Sequence, residues 1–254
     1  GAQDYDLALR AAESTNKIQH IPHVLYHWRA VPGSTALQAN EKNYAHERAE
    51  NSIEQALRRR NIDGAVMETG LGVYHRIRYA LPSAHPFVSI IIPTRDRIDL
   101  LAVCIDGLIN KTNYQNFEII VVDNNSQKKE TLNYLEEIQQ AENIRVLSFP
   151  GEFNYSAINN FAVARSSGEV VVFLNNDIEI IQDDWLRELV SHAMRPGVGA
   201  VGCRLYYPDD HVQHDGIIIG IGGVAGYAHP HMERYDSGEF GRSRIIRNYS
   251  AVTA

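Results

Sequence analysis

The chain has 254 residues, 44% of them hydrophobic and 22% charged, which supplies a sizeable core and excludes wholesale disorder. Lys and Arg total 24 against 31 Asp and Glu, and the resulting net charge of −7 argues against a general nucleic-acid binder. No run of about 18 apolar residues marks a membrane span, and the polar opening Gly1-Ala2-Gln3-Asp4 is no secretory signal. That opening reads as helix interior or cap, so the chain is expected to be a piece of a longer protein. Cys104 and Cys203 are too few for a disulfide framework. Each sits in an apolar stretch and reads as a buried free thiol, which fits a reducing, cytoplasmic compartment.

Residues 1–84 differ in character from the rest. Tyr5 to Ala12 predicts a short helix, and Ile18 to Trp28 an extended stretch broken by Pro22. Pro32-Gly33-Ser34 is a turn signal. Asn40 to Arg60 is the strongest helix of the segment, free of Gly and Pro, with Ala45, Ala49, Ile53, Ala56 and Leu57 along one side. Its Arg58-Arg59-Arg60 end suits the negative end of the helix dipole and reads as a solvated terminus. Val73 to Tyr79 predicts a short strand before a boundary at Leu81-Pro82.

The rhythm changes after residue 85. Val88 to Ile92 is a continuous apolar run stopped by Pro93, the pattern of a buried strand. Asp99 to Asn110 carries Leu101, Cys104, Ile105 and Leu108 at helical spacing. Strands are then predicted at Glu118–Val122, Ile144–Phe149, Val170–Leu174 and Val198–Cys203, with helices at Lys128–Gln140, Ser156–Arg165 and Asp183–Met194. Strands alternating with helices predict an α/β fold, a mostly parallel sheet with helices on both faces.

In such sheets ligands bind beyond the carboxyl ends of the strands. Three segments stand there: Pro93 to Arg97, Asp123 to Ser126, and Asn175-Asn176-Asp177. Each alone also reads as a strand-ending turn or helix cap; their occurrence together after three apolar strands favours a binding site. No Gly-rich phosphate loop is present. A diphosphate would therefore be held another way, with Mg²⁺ or Mn²⁺ on Asp177 the natural candidate, since hard cations take carboxylate and phosphate oxygens.

Four motifs in register, Phe87 to Arg97, Phe117 to Ser126, Phe153 to Asn160 and Phe173 to Asp177, resemble the nucleotide-sugar half of family 2 glycosyltransferases with the GT-A fold. The resemblance runs from Pro86 to the end and implies domains at 1–84 and 85–254. By that likeness Pro93, Thr94, Arg95 and Asp123 line the nucleotide pocket, with Asn154, Asn159, Asn175 and Asn176 approaching the nucleotide. Asp177 takes the last place of the Asp-X-Asp metal motif, and Asn175 stands where the family often has Asp. The implied reaction is inverting transfer from a UDP- or dTDP-sugar to a glycan or lipid-linked glycan acceptor in polysaccharide assembly, placed at the inner face of the membrane. The reading from another class is a nucleotide- or glycan-binding module without turnover. A nucleotidyltransferase would need a Gly-rich loop where Pro93 to Arg97 has no Gly.

The His211 to Gly216 segment and the loop holding His229, His231, Glu233 and Asp236 read as an acceptor or lid loop, or as plain surface; their spacing matches no standard metal site. The family's acidic base motif is expected beyond Ala254. Gly1 to Arg10 and Pro22 to Arg29 are similar to the end of the same family's catalytic domain, so residues 1–84 are expected to be the tail of a preceding transferase domain plus a helical linker. On that likeness Asp4 takes the place of the catalytic base and His27 that of a late metal-binding histidine. A helix-capping Asp4 and a structural His27 are the alternatives. The complementary missing pieces suggest a dimer in which one chain's tail docks on another.

Overall fold

The computed structural model describes residues 2–27, 29, 43–70 and 74–253. They fall into two units, Gly1–Ala80 with Glu239–Ile246, and Leu81–Gly238 with Arg247–Ala254.

The first unit contains α1 (Gln3–Ser14), α2 (Asn43–Arg59) and an antiparallel hairpin of β1 (Gly64–Glu68) and β2 (His75–Tyr79). α2 buries Ile53, Ala56 and Leu57, three of the residues its periodicity put on the inner side. The Arg run at its end is not merely solvated. Arg59 forks onto the Glu13 carboxylate of α1 through Nε at 2.7 Å and Nη2 at 2.9 Å, with Arg60 Nε at 3.5 Å from the same carboxylate. β2 answers the strand predicted at Val73–Tyr79, although Val73 lies outside the described residues. Its partner β1 has no alternating pattern and was not foreseen. The extended stretch from Ile18 is outside regular strands over the described residues up to His27, and Val24, Leu25 and Tyr26 lie exposed. Trp28, the Pro32 turn and residues 40–42 lie outside the described residues.

The second unit is built on a four-stranded parallel sheet. Its strands are β3 (Val88–Thr94), β4 (Phe117–Asp123), β5 (Ile144–Ser148) and β6 (Val170–Phe173), in the order β5-β4-β3-β6. The helices are α3 (Ile98–Asn110), α4 (Lys129–Ile138), α5 (Tyr155–Val163) and α6 (Trp185–Ala193). The α/β expectation is met. Successive strand residues point to opposite faces, and the two cores show it. Ile90, Ile92, Ile119 and Val121 pack with Leu101, Cys104, Ile105 and Leu108 of α3, Leu135 of α4, and Leu186 and Val190 of α6. Ile91, Ile120 and Val122 pack with Ile158 and Ala162 of α5. Both faces being covered explains the continuous apolar runs.

A proline and a buried carboxylate within this sheet have physical reasons. Pro93 was read as a strand stop, yet β3 continues through it to Thr94. Ile91 faces β6, where its carbonyl accepts from Leu174 N, so Pro93 two residues on faces the same way, past the end of the β3–β6 ladder at Ile91↔Phe173. Its missing N–H leaves no ladder bond unmade. Glu118 is buried inside β4 because its carboxylate is saturated by Ser89 Oγ at 2.7 Å, Ser167 N at 2.8 Å and Arg145 Nη1 at 2.9 Å.

The strand predicted at Val198–Cys203 is absent. Gly199 and Gly202 interrupt that run, and Gly197, with φ of 83°, turns the chain just before it; glycine weakens a strand interior. The chain instead forms β7 (Leu205–Tyr206) and β8 (Val212–His214), then β9 (Ile217–Ile219) and β10 (Ala225–Tyr227), each pair antiparallel. Cys104 is buried and Cys203 half-buried, both free, and burial pushes their thiols up to about 12 and about 11. Among the described residues no helix is long and apolar enough to cross a membrane.

Candidate nucleotide-sugar site

The carboxyl ends of β3, β4, β5 and β6 rise to one edge of the sheet, and Thr94, Asp123 and Asn176 of the predicted residues meet there. Thr94 and Asp123 are register partners at the tips of β3 and β4, and both are buried. Thr94 O accepts from Asn124 N at 3.0 Å, and Thr94 Oγ1 accepts from Asn176 Nδ2 at 3.0 Å. One threonine thus joins the loops after β3, β4 and β6. Asp123 Oδ1 accepts from Ser126 N at 3.1 Å, a local side-chain-to-backbone bond that fixes the carboxylate at the strand tip. Asn124 is anchored to the loop after β5, donating from Nδ2 to Phe149 O at 3.1 Å and Gly151 O at 2.8 Å.

Asp96 and Ser126 organise this edge, and neither was singled out from sequence. Asp96 sits at φ of 52°, a region few non-glycine residues occupy. Its N–H donates to Ser126 Oγ at 3.0 Å, and its Oδ1 accepts from Gln127 N at 2.7 Å and Lys128 N at 2.8 Å. The bond from Lys128 N, the larger effect, and that from Gln127 N hold its carboxyl below the usual range despite partial burial. The signal available was the Asp in a polar loop directly after an apolar strand, but the left-handed backbone that turns it onto the β4 loop is not written in residue types.

Pro93 and Arg95 flank Thr94, Pro93 half-buried and Arg95 exposed. Asn175 and Asn176 are half-buried after β6, and Asn175 O accepts from Cys104 Sγ at 3.8 Å. Asn154 and Asn159 each make one local bond, while Asn159 Oδ1 is enclosed without a partner among the described residues. Asn154 caps α5, accepting from Ala157 N at 3.0 Å, and buried Asn159 donates from Nδ2 to Tyr155 O at 2.9 Å. Asp4 on α1 is exposed and accepts from its neighbour's amide, Tyr5 N, at 3.0 Å. His27 is exposed outside regular structure. Both belong to the first unit.

Asp177 is exposed beside this edge, and among the described residues its carboxylate accepts no hydrogen bond. Arg97, paired with Asp99 through Nε at 3.0 Å and Nη2 at 2.8 Å, lies within its electrostatic reach. No three His, Cys, Asp or Glu converge as a ready-made metal cage among the described residues. The donor set nevertheless fits a hard cation that draws most of its ligands from diphosphate and water, since such ions often use one or two protein carboxylates.

The model of the Glycosyl transferase family 2 matches residues 89–244. The chain belongs to this family of glycosyltransferases. It is 45% identical over its whole length to y4gI of Sinorhizobium fredii, an uncharacterised protein, and 39% identical to the O-antigen biosynthesis protein RfbC of Myxococcus xanthus. The chain spans 28% and 20% of the length of these relatives. A solved mannosyltransferase from Pyrobaculum calidifontis, in complex with GDP-Man and Mn²⁺, aligns at a TM-score of 0.45 and 22% identity over 68% of this chain and 47% of that one.

Proposed function

We propose that the second unit holds the nucleotide-sugar donor, a UDP- or dTDP-sugar, of an inverting glycosyltransferase that works in polysaccharide assembly. The observation that carries this reading is the convergence at Thr94, whose backbone and hydroxyl join the loops bearing Asp123 and Asn176 at the carboxyl edge of a parallel sheet. Family membership supplies the reaction class, and the name of the RfbC relative favours surface polysaccharide as the product.

Asp123, its Oδ1 fixed by Ser126 N, presents Oδ2 to a donor group on the nucleoside. Exposed Arg95 offers charge to a phosphate. Asp177, with Asn175 beside it, would hold Mg²⁺ or Mn²⁺, which supplies charge that offsets the departing diphosphate. With Asn in place of a second carboxylate, the cation is expected to bind weakly until the diphosphate arrives. In the single displacement an acceptor hydroxyl oxygen bonds the anomeric carbon, the bond from that carbon to the diphosphate oxygen breaks, and a base takes the hydroxyl proton.

Calorimetry of UDP and dTDP binding, with and without Mn²⁺, tests the reading on the wild type and Asp177→Ala. Metal-dependent binding that falls at least tenfold in the variant is expected. Metal-independent or absent binding in folded protein contradicts it.

A further inference from the structure

Two residues at the candidate site hold a backbone that side chains rarely adopt. Asp96, in the loop after β3, has φ of 52°, and Asn125, in the loop after β4, has φ of 60°. Such strain persists only where surrounding contacts hold it, and it gathers where a loop has a task.

The contacts run from one loop to the other. Asp96 grips the β4 loop with both its backbone and its carboxylate. Its N–H donates to Ser126 Oγ at 3.0 Å, and its Oδ1 accepts from Gln127 N at 2.7 Å and Lys128 N at 2.8 Å. Three consecutive residues are therefore pinned to one aspartate. The first of them, Ser126, turns its own N–H back to Asp123 Oδ1 at 3.1 Å. Ser126 is 5% exposed and Asp123 9%, so water does not readily replace that bond. With Oδ1 taken, Oδ2 is the oxygen through which Asp123 can meet a ligand, and its direction follows from where Ser126 sits.

Asp96 also caps α4, which begins at Lys129. A cap needs only a carboxylate oxygen in front of the helix. The left-handed backbone and the bond to buried Ser126 serve instead the loop that carries Asp123. We propose that Asp96 is a positioning residue for nucleoside recognition, which touches no ligand itself and sets, through Ser126, the oxygen that Asp123 presents. The inference rests on the reading of this edge as a nucleotide site.

Calorimetry of UDP binding with Mn²⁺ on folded variants tests this role. Asp96→Gly keeps the left-handed backbone and removes the carboxylate, and should weaken UDP at least fivefold. Asp96→Asn keeps an accepting oxygen and tolerates the same backbone, so it should recover most of that loss. Asp123→Ala should cost at least tenfold. Adding Asp96→Gly to it should change affinity less than twofold, because the residue through which Asp96 acts is gone. A merely structural role would make the two losses multiply. Ser126→Ala removes the acceptor for Asp96 N and should weaken UDP at least threefold, which keeps the test available if Asp96→Gly fails to fold. UDP affinity unchanged within twofold in folded Asp96→Gly or Ser126→Ala, or losses that multiply in the double variant, would overturn the proposal. Hydrogen exchange without nucleotide separates it from the donor reading. The Gln127 and Lys128 amides should exchange at least fivefold faster in Asp96→Gly than in the wild type. Faster exchange with UDP affinity intact refutes the positioning role alone. A wild type that binds no UDP refutes the donor site, and the positioning role with it.

Discussion

β3 and β4 each run seven residues and are buried at every position but Pro93, whereas β7 to β10 run two or three residues and leave side chains such as Ile219 67% exposed. The first region is held by apolar burial on both faces of a sheet. Its polar edge can therefore be spent on loops that converge at Thr94. The second is held by short ladders and a few polar contacts, and it keeps unsatisfied groups such as Arg204 Nε and Asp215 Oδ1 enclosed. A sheet buried on both faces is a platform that holds its loops in one geometry. Ladders of two or three residues hold theirs less firmly, and the difference can be tested.

The largest effect is expected in the platform. Ile91→Ala removes a fully buried side chain between the sheet and α5 and should cost about 2–5 kcal/mol in chemical denaturation. Ile219→Ala on β9 should stay within about 0.5 kcal/mol. Comparable losses at the two sites would erase the distinction.

Next comes the junction itself. Thr94→Val keeps the shape but removes the acceptor for Asn176 Nδ2, and should cost about 1–3 kcal/mol if the amide is left unpaired. UDP affinity should fall with it, because the loop after β6 loses its tether.

Acid sharpens the comparison from another side. Burial alone would raise the Glu118 carboxyl, but Ser89, Ser167 N–H and Arg145 outweigh it and hold it below its ordinary value of 4.5. A carboxyl lowered in the folded state contributes stability above its unfolded value, and that contribution is lost as pH falls through the folded value. The melting temperature should therefore drop below pH 4.5, and Glu118→Gln should flatten that decline while lowering stability at neutral pH. An unchanged acid limb in the variant would remove Glu118 from the account.

The smallest effect is an expected silence. With thiols pushed up to about 12 and about 11, Cys104 and Cys203 should react with a thiol reagent at pH 8 only on unfolding. Fast labelling of Cys203 alone would show that the segment before β7 opens readily.

The same contrast explains what could be read in advance. β3, β4, β5 and β6 and the four helices among them follow from apolar runs and helical spacing, because tertiary burial reinforces local pattern there. The strand expected at Val198–Cys203 failed because Gly199 and Gly202 undid the apolar run and Gly197 turned the chain just before it. β1 escaped notice because Gly64 to Glu68 is half-exposed and lacks alternation. At the site, Thr94, Asp123, Asn176 and Asp177 were visible as polar residues ending strands. The bond from Asn176 to Thr94 was not, nor the left-handed turn at Asp96, because both depend on contacts between segments distant in sequence. Asn154 and Asn159 looked the same as the others in sequence, and the local bonds that Asn154 Oδ1 and Asn159 Nδ2 make on α5 were equally hidden there.

Hydrogen exchange with and without UDP and Mn²⁺ tests the central claim most directly, because it asks which backbone segments a nucleotide touches. The account predicts slower exchange in residues 94–97, 123–128 and 175–177, with β7 to β10 unchanged. Protection confined to β7–β10, or none in protein that binds the nucleotide, would contradict it.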